Sequence, residues 1–429
     1  MIRYVLACMI VLFALPARAE VDIVEVTSPG GITAWLVEEP SIPFVALEVR
    51  FQGGTSLDQP GKRGAVNLMA ALLDEGAGDL DARAFATARE ELAAGIGFSA
   101  SRDSISVSAR FLTENRNEAA ELLRSALVET RFDQQAIDRV RAQVTSGIRS
   151  AAVDPGEIAA QTFNRLAYGE HPYGSPDTGS EESLASLTRA DLIAARDRVI
   201  ARDRIFVGAA GDITPGELGQ LLDRLFGGLP ETGAPPISAA DVAERGFVEV
   251  VPMDVPQSVA IFGHEGISRD DPDFFAAFVL NEVFGGAGLQ SRLSNEVREQ
   301  RGLTYGIGTY LVDFDHADMI LGQFSSANDR IAEAIEIVRA QWAEVADTAV
   351  TEAELSSIKT YLTGAYPLRF DGNAPIARIM VGMQMQGLPI DYINTRNDKV
   401  NAVTMEDVRR VAARLYDPEA LRFVVVGQP

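Results

Sequence analysis

Side chains that hold metals or attack substrates are scarce in this sequence. It has three histidines and one cysteine among 429 residues. His171, His264 and His316 lie far apart in the chain, so neither helical zinc motif, H-E-x-x-H or H-x-x-E-H, occurs. The serine-nucleophile pattern G-x-S-x-G and the phosphate-binding pattern G-x-x-x-x-G-K-[ST] are also absent. We therefore expect each histidine to be a surface or core residue, and we expect no metal or cofactor in this chain.

Basic charge and long apolar runs are scarce too. Lysine and arginine total 38 against 61 acidic residues, which gives a formal charge of −23, and only three of the 38 are lysines. So acidic a chain is a poor binder of nucleic acid or of an anionic membrane through bulk charge. After the N-terminus, no stretch reaches the ~18 apolar residues that a spanning helix needs. Apolar residues make up 47%, which is typical of a folded globular protein.

The N-terminus has the parts of a secretory signal peptide. Arg3 gives a basic start, an apolar run extends from Tyr4 to Leu15, and Ala17–Ala19 ends in a small-residue cleavage pattern. The alternative is a buried N-terminal helix, because the run is too short to span a membrane. Cleavage after Ala19 removes Cys8, the only cysteine, and two arginines, so the formal charge becomes −25. We predict a periplasmic or secreted protein without disulfides.

Two pairs of similar segments indicate an internal repeat. Leu187–Gly211 aligns without gaps on Val403–Gly427, and each copy reads as a Thr-capped helix, a short turn and an apolar strand. Leu68–Gly78 matches Phe278–Gly288 at a similar offset. A Gly-, Pro- and Ala-rich stretch between the copies is typical of a linker. The predicted organisation is a signal peptide (1–19), a first repeat (20–227), a linker (228–246) and a second repeat (247–429).

Strand and helix patterns alternate in groups within each repeat. Val45–Phe51 and Ser104–Phe111 alternate with period two, as half-buried strands do, whereas Asn117–Thr130 has helical spacing. Strands that are adjacent in sequence and followed by groups of helices favour an α+β fold over a doubly wound parallel sheet. We predict two tandem homologous domains, each a mostly antiparallel sheet packed with helices.

The most specific pattern lies between Asn281 and Tyr310. It reads as a helix that ends in a Gly-rich turn, a second amphipathic helix from Leu289 to Gln300, and an extended stretch after Gly302. The fixed residues within it are Ser291–Arg292–Leu293, Arg298–Glu299, Gly302–Leu303 and Tyr305. This pattern resembles the second repeat of the insulinase/pitrilysin-type zinc metallopeptidases. The tandem repeats and the linker extend the resemblance over nearly all of the mature chain.

In that family the first repeat carries H-x-x-E-H on a helix, which places two zinc ligands and a general base on one face. The matching stretch here is Gly61–Gly78, and it puts Asn67, Ala70 and Ala71 at the first-His, Glu and second-His positions. The segment Val140–Pro155, where the family places its distal ligand, contains no glutamate. The resemblance therefore implies a degenerate zinc motif in this chain and zinc in a partner subunit.

The Arg298 and Tyr305 pair of the second repeat is kept. In the family's bacterial heterodimers one subunit holds the zinc motif and the other sends such a pair into the partner's active site. The resemblance implies that Tyr305 hydrogen-bonds the oxyanion of the tetrahedral intermediate and that Arg298 helps bind peptide carbonyls. We expect the non-metal-binding subunit of an exported heterodimeric zinc metallopeptidase, inactive alone, whose partner is a paralogue with the zinc motif.

Two other functions stay open on the sequence. One is a catalytically silent structural or peptide-binding member of the same family, similar to the core proteins of the respiratory cytochrome complex. In that case Arg298 is a surface helix residue and Tyr305 packs in a strand. The other is an independent hydrolase with an unrelated metal site.

Overall fold

Two mixed β-sheets, each covered by helices, build the protein. The computed structural model describes residues 22–242 and 246–429, so the predicted signal peptide lies outside the described part. One sheet has six strands and the other five, and all but one of the neighbouring strand pairs in each sheet are antiparallel. The predicted α+β class is confirmed.

The elements of the described residues have the following bounds. The strands are β1 (Val24–Thr27), β2 (Thr33–Glu38), β3 (Phe44–Gln52), β4 (Gly76–Ala77), β5 (Leu80–Asp81), β6 (Gly95–Ala100), β7 (Ser104–Leu112), β8 (Ile205–Gly211), β9 (Val248–Pro252), β10 (Gln257–Glu265), β11 (Ile307–Phe314), β12 (Ala317–Ala327) and β13 (Arg422–Gly427). The α-helices are α1 (Ala65–Ala70), α2 (Ala82–Glu91), α3 (Arg116–Val128), α4 (Gln134–Ala151), α5 (Pro155–Tyr168), α6 (Glu181–Ser186), α7 (Arg189–Val199), α8 (Pro215–Phe226), α9 (Phe274–Asn281), α10 (Ile331–Thr348), α11 (Glu352–Ala365), α12 (Asn373–Met385), α13 (Tyr392–Ala402) and α14 (Met405–Leu415).

The two large sheets share one strand order. The first runs β1-β2-β8-β3-β7-β6, and the second, taken from its other edge, runs β9-β13-β10-β12-β11. In each sheet a single parallel pair, β2 with β8 or β13 with β9, joins an early strand to the last one. The second sheet differs only in lacking a counterpart of β1. Strand β4 pairs with β5 in a separate small hairpin.

Local signals in the sequence fix where several elements begin. The side chain of Thr188 accepts a hydrogen bond from the Asp191 N–H, and the Asp191 side chain accepts one from the Thr188 N–H, which forms a capping box ahead of α7. Thr404 and Asp407 make the same box ahead of α14. Each helix is followed by a buried strand, β8 or β13. The two predicted helix–turn–strand units are therefore confirmed, as are the predicted strands β3 and β7 and the helix α3.

The two halves of the chain exchange one helix each. Helix α5, from the first half, packs on β10 and β13, whereas α12, from the second half, packs on β2, β3 and β8. Phe163 of α5 is buried with Val424 of β13, and Met380 of α12 is buried with Ala210 of β8. Each large sheet therefore has one face covered by helices of its own half and the other covered by a helix of the opposite half.

The predicted linker lies against the body of the protein. Its described residues, 228–242 and 246, form neither helix nor strand. The N–H of Ala234 donates to the Arg198 carbonyl of the first half, and the N–H of Ala240 donates to the His316 carbonyl of the second half. Within residues 22–242 and 246–429, no helix combines the length and hydropathy that crossing a membrane requires.

Candidate functional site

The segment from Asn281 to Tyr310 is wound more loosely than predicted. Helix α9 continues into a π-helical turn over Glu282–Gly286, and a second π-helical turn spans Ser294–Glu299. The second helix was predicted to start at Leu289. It starts only after Ser291, and Leu289 is 64% exposed. The predicted start is therefore three residues too early. The turn that follows has backbone bonds from i to i+5, as from the Gln300 N–H to the Asn295 carbonyl, a pitch that apolar spacing does not reveal.

Half of the fixed residues in this segment serve as a frame. Ser291 is fully buried and its hydroxyl donates to the Gly288 carbonyl at 2.8 Å. Leu293 and Leu303 are buried in the core of the second half. Gly302 has a φ of +59°, in the left-handed region that favours glycine. These residues fix the path of the chain on both sides of Arg298 and set where Tyr305 leaves the core.

Arg292 ties the same segment to helix α11. Its Nε and Nη2 donate to the two carboxylate oxygens of Glu354 at 2.7 and 2.6 Å, and its Nη1 donates to the Ala349 carbonyl at 2.9 Å. Hydrogen bonding from Arg292, together with the Thr351 backbone and hydroxyl groups, lowers the pKa of Glu354 to about 2. Arg292 is therefore an anchor.

Tyr305 is the most exposed side chain of the pattern, and Arg298 is partly exposed beside the exposed Glu299. Tyr305 lies in the loop just before β11, is 88% exposed, and makes no side-chain hydrogen bond to a described residue. Packing of Tyr305 within a strand, the alternative considered from the sequence, is therefore wrong. The Arg298 side chain is about one-third exposed (32%) and donates to its neighbour Glu299.

The structure brings Arg298 and Tyr305 to one cavity of about 400 Å³, which Gln257 and Arg330 also line. Tyr305 also borders a larger cavity of about 920 Å³ on the exposed face of β11 and β12, at the N-terminus of α5. A phenol and a guanidinium at one rim can donate hydrogen bonds to carbonyl oxygens or to an oxyanion. Both residues of the predicted pair therefore line one cavity, and their catalytic role stays a prediction.

Close packing of glycines shapes this larger cavity. Gly285 of the first π-helical turn lies against β11, where a side-chain carbon would come within 2.2 Å of the Thr309 hydroxyl oxygen. Glu282 of the same turn also lines the cavity. Burial raises the pKa of Glu282, and the charges of Arg369 and Arg396 lower it.

The three positions matched to the zinc motif lie away from the Tyr305 cavities. One of them borders a different cavity, and the other two border none of the cavities described here. Asn67 borders a cavity of about 680 Å³, which α4 residues such as Val144 and Gly147 also line. Ala70 is buried in the core of the first half, and Ala71 is exposed just beyond the end of α1. Thus the two segments matched to the family's zinc site do face each other, but only Asn67 of the three matched positions borders the space between them.

These residues do not fit a zinc ion. Alanine has no ligating atom, and a buried Ala70 leaves no room for one. Across the described ranges 22–242 and 246–429, no group of three or more His, Cys, Asp or Glu side chains is arranged to hold a metal. His264 is a core residue whose Nε2 accepts a hydrogen bond from Trp342 Nε1 at 3.1 Å.

Asp154 is a site residue that the sequence reasoning missed. It lines both the Asn67 cavity and the larger Tyr305 cavity, so the two spaces meet at the N-terminus of α5. Its carboxylate accepts the Glu157 N–H at 2.9 Å as the N-cap of that helix. The Asp154–Pro155 pair does signal a helix start, but the position of α5 beside the second sheet follows from the helix exchange, which leaves no local signal.

The structure is a two-sheet α+β protein in which Asn67, Ala70 and Ala71 stand at the positions that match the family's H-x-x-E-H motif. Comparison with known proteins agrees. The family model described as Peptidase M16 inactive domain matches residues 186–362. The resemblance inferred from the sequence is therefore confirmed: the match is consistent with an insulinase/pitrilysin-type protein that lacks the zinc motif.

Relatives and solved structures extend the match over most of the chain. A non-peptidase homolog, YmxG of Helicobacter pylori, is 23% identical over 391 residues, covering 91% of this chain and 90% of the relative. The crystal structure of a peptidase M16 inactive domain from Pseudomonas fluorescens is 25% identical, with a TM-score of 0.89 over 95% of this chain and 98% of that one. A chain of Complex III2 from Candida albicans, solved with Inz-5 bound, has the same fold at 14% identity, with a TM-score of 0.77 over 95% of this chain and 96% of that one.

Proposed function

We propose that this chain is the non-metal-binding subunit of an exported two-subunit zinc metallopeptidase and that it supplies Arg298 and Tyr305 to the partner's active site. The partner is a paralogue that carries H-x-x-E-H and its zinc. The observation that carries the proposal is the presentation of Tyr305. A large aromatic side chain is 88% exposed at a cavity rim, while Leu293 and Leu303 of the same pattern are buried and Arg292 is bound to Glu354.

The chemistry of the pair suits peptide hydrolysis. The paralogue's H-x-x-E-H motif would hold a zinc ion, which would supply Lewis-acid polarisation of the scissile carbonyl and activation of water. In this chain the Tyr305 hydroxyl donates to the carbonyl oxygen as it gains negative charge, and Arg298 binds neighbouring carbonyl oxygens of the peptide. Such donors lower the barrier most where water is excluded, so an enclosed chamber between the two subunits favours the reaction.

Arg298 must change partner to take this role. In the isolated chain it is bound to Glu299, an exposed pair that contributes little stability because solvent screens it. Exchange of that carboxylate for substrate carbonyls therefore costs little. The strongly acidic chain favours basic or unfolded peptides by electrostatic steering if its charge extends into the chamber.

The test is to produce this chain together with an exported paralogue that carries H-x-x-E-H. We expect the two to co-purify, zinc to be present at one equivalent per pair, and peptide cleavage to require both. Metal analysis of this chain alone should find no stoichiometric zinc. A paralogue that is fully active alone and ignores this chain contradicts the proposal, as does one tightly held zinc in this chain.

A second candidate function is a catalytically silent structural or peptide-binding subunit. The Helicobacter pylori relative named a non-peptidase homolog favours it. This function predicts assembly with a partner but no dependence of cleavage on Tyr305, so the same preparation distinguishes the two candidates.

A further inference from the structure

A separate cavity of about 270 Å³ lies in the second half, among α9, α12 and α13. Its walls are largely aromatic, with Phe274 and Phe278 on α9, Tyr366 after α11, and Tyr392 on α13. None of these residues lines the cavities that contain Arg298 and Tyr305. Its volume is close to the lower end of the range for small-molecule sites.

Three arginines line this cavity without an ion-pair partner. Within the described part of the chain, no carboxylate lies within salt-bridge distance of Arg269, Arg369 or Arg396. Arg369 makes no side-chain hydrogen bond to a described residue. Arg269 donates from Nη2 to the Tyr392 hydroxyl at 3.1 Å, but its Nε is buried without a hydrogen-bond partner. Buried donors without partners are rare in native proteins and need an explanation.

The aromatic rings hold two of these guanidinium groups in place. The Arg396 Cζ lies 4.5 Å from the centroid of the Tyr366 ring and 5.4 Å from that of Phe278. The Arg269 Cζ lies 4.8 Å from the Phe274 ring centroid. The Arg396 Nη1 donates to the Leu362 carbonyl and to Asn397 Oδ1, each at 3.0 Å. Its remaining N–H groups stay available, because a guanidinium stacked on a ring can still bind a carboxylate along its edge.

The local charge is positive although the chain is acidic. Glu282 interacts electrostatically with Arg369 and Arg396, and Asp313 does so with Arg269, so two carboxylates lie near three permanent cations. Lys399 adds a fourth at the edge, 5.3 Å from the Tyr392 ring centroid. These two carboxylates leave a net positive charge among four cations, and a net charge beside an apolar cavity is unfavourable unless an anion binds there.

We propose that this cavity binds a small monocarboxylate whose body is aromatic or branched aliphatic. The arginines take the carboxylate and the rings take the body. A single negative charge fits better than a polyanion, because the overall charge of −23 repels highly charged anions at long range. The carboxylate can belong to a free acid or to the C-terminus of a peptide. The site is independent of the proposed role of Arg298 and Tyr305.

The first experiment titrates the full mature chain by calorimetry with four probes. These are 3-phenylpropanoate, its uncharged amide, a short peptide ending in phenylalanine with a free carboxylate, and the same peptide amidated. We expect at least one carboxylate to bind and its amide to bind at least about ten-fold more weakly, as loss of a charge-assisted contact predicts. Binding of 3-phenylpropanoate alone identifies a free acid as the source, and binding of the peptide identifies a C-terminus. A Kd weaker than about 1 mM for both carboxylates, or equal affinity of a carboxylate and its amide, overturns the proposal.

Two variants place the binding in this cavity. Arg369→Gln removes a guanidinium that holds no other described group, so it should fold normally and weaken carboxylate binding about ten-fold. Its control is Arg409→Gln, an exposed arginine of α14 without an ion pair.

Gly382→Leu adds a side chain where no atom lies within 4 Å, so it should fill the cavity and abolish binding. Its control is Gly216→Leu on α8, where an added carbon also meets nothing. Unchanged affinity in both cavity variants overturns the proposal.

Discussion

On the scale of single residues, the position of Tyr305 is fixed by the buried and anchored residues near it in the sequence. Ser291, Leu293 and Leu303 are buried and Arg292 is bound to Glu354, so the backbone that carries the phenol is fixed although the phenol is not. Because the backbone is already fixed, covering the exposed side chain costs only the entropy of its own rotamers, about 0.5–1.5 kcal/mol. This is the arrangement expected of a group that acts on something outside its own chain.

The substitution Tyr305→Phe tests that role with the smallest change available. In the reconstituted pair we expect kcat to fall about 10²- to 10³-fold, because one oxyanion donor is lost, with little change in KM. Steady-state peptide cleavage is the measurement, and gel filtration checks assembly. The matched control is Tyr361→Phe, a tyrosine of α11 that is 58% exposed. Near-normal kcat for Tyr305→Phe in an intact pair would leave the structural or peptide-binding role as the better account.

The Arg292–Glu354 pair gives a prediction about pH. Because the folded protein lowers the pKa of Glu354 from 4.5 to about 2, its stabilising effect is present above pH 4.5 and is lost as the pH falls towards 2. We expect Glu354→Gln to reduce the free energy of unfolding by about 1–3 kcal/mol at pH 7, with the difference from wild type shrinking through that window. Urea unfolding at several pH values is the measurement, with Glu352→Gln on the exposed face of α11 as the control. A constant difference at every pH would contradict the assignment.

On the scale of elements, the contact between β8 and α12 depends on a glycine. A side-chain carbon at Gly208 would lie 2.4 Å from the Ala377 carbonyl oxygen and 3.1 Å from a Val381 methyl. We expect Gly208→Ala to destabilise the protein by about 1–3 kcal/mol, because a packed interface does not accept an extra carbon without moving backbone. The control is Gly97→Ala on β6, where an added carbon meets no atom within 4 Å. Equal urea midpoints for the two variants would show that α12 does not pack tightly on β8.

Elements with a local signature were predictable from the sequence. The Thr188 and Thr404 capping boxes and the alternation in β3 and β7 are short-range features, and each is present where the sequence indicated it. The spacing around Arg298 and Tyr305 also identified the family and the pair that shares a cavity. All of these depend on contacts between residues that are close in sequence.

What could not be predicted depends on contacts that are distant in sequence. The apolar face of α12 shows that something covers it, but not that β8, from the other half of the chain, does so. The three arginines of the aromatic cavity are likewise spread from Arg269 to Arg396, so no spacing connects them. The π-helical turns could not be predicted for another reason, since an i to i+5 pitch leaves the apolar pattern almost unchanged.

On the scale of the whole molecule, the helix exchange makes the halves mutually dependent. The core between α5 and β13 and the core between α12 and β8 each contain side chains from both halves. Dividing the chain into residues 20–227 and 247–429 gives two stretches of similar strand order, but each then lacks the helix that covers one face of its sheet. We therefore do not expect either repeat to be a stable folding unit on its own.

Separate production of the two halves tests this dependence. We expect each half alone to expose the uncovered face of its sheet, to bind a hydrophobic dye and to aggregate, because an open apolar face of that size is unstable in water. Produced together as two chains, they should associate, and the intact chain should unfold in one cooperative transition. Circular dichroism and calorimetry are the measurements. Two independent transitions, or a monomeric folded half, would contradict the expectation.

The helix exchange also determines when, during synthesis, the first sheet can become fully covered. Strand β8 ends at Gly211, but the helix that covers its outer face ends only at Met385. Ribosomes add about 5–20 residues per second, so the first sheet waits roughly 10–35 seconds before its cover exists. During that interval β2, β3 and β8 present an apolar surface to every other nascent chain nearby. A chain built in this way depends on holding chaperones, or on delayed folding, until α12 has emerged.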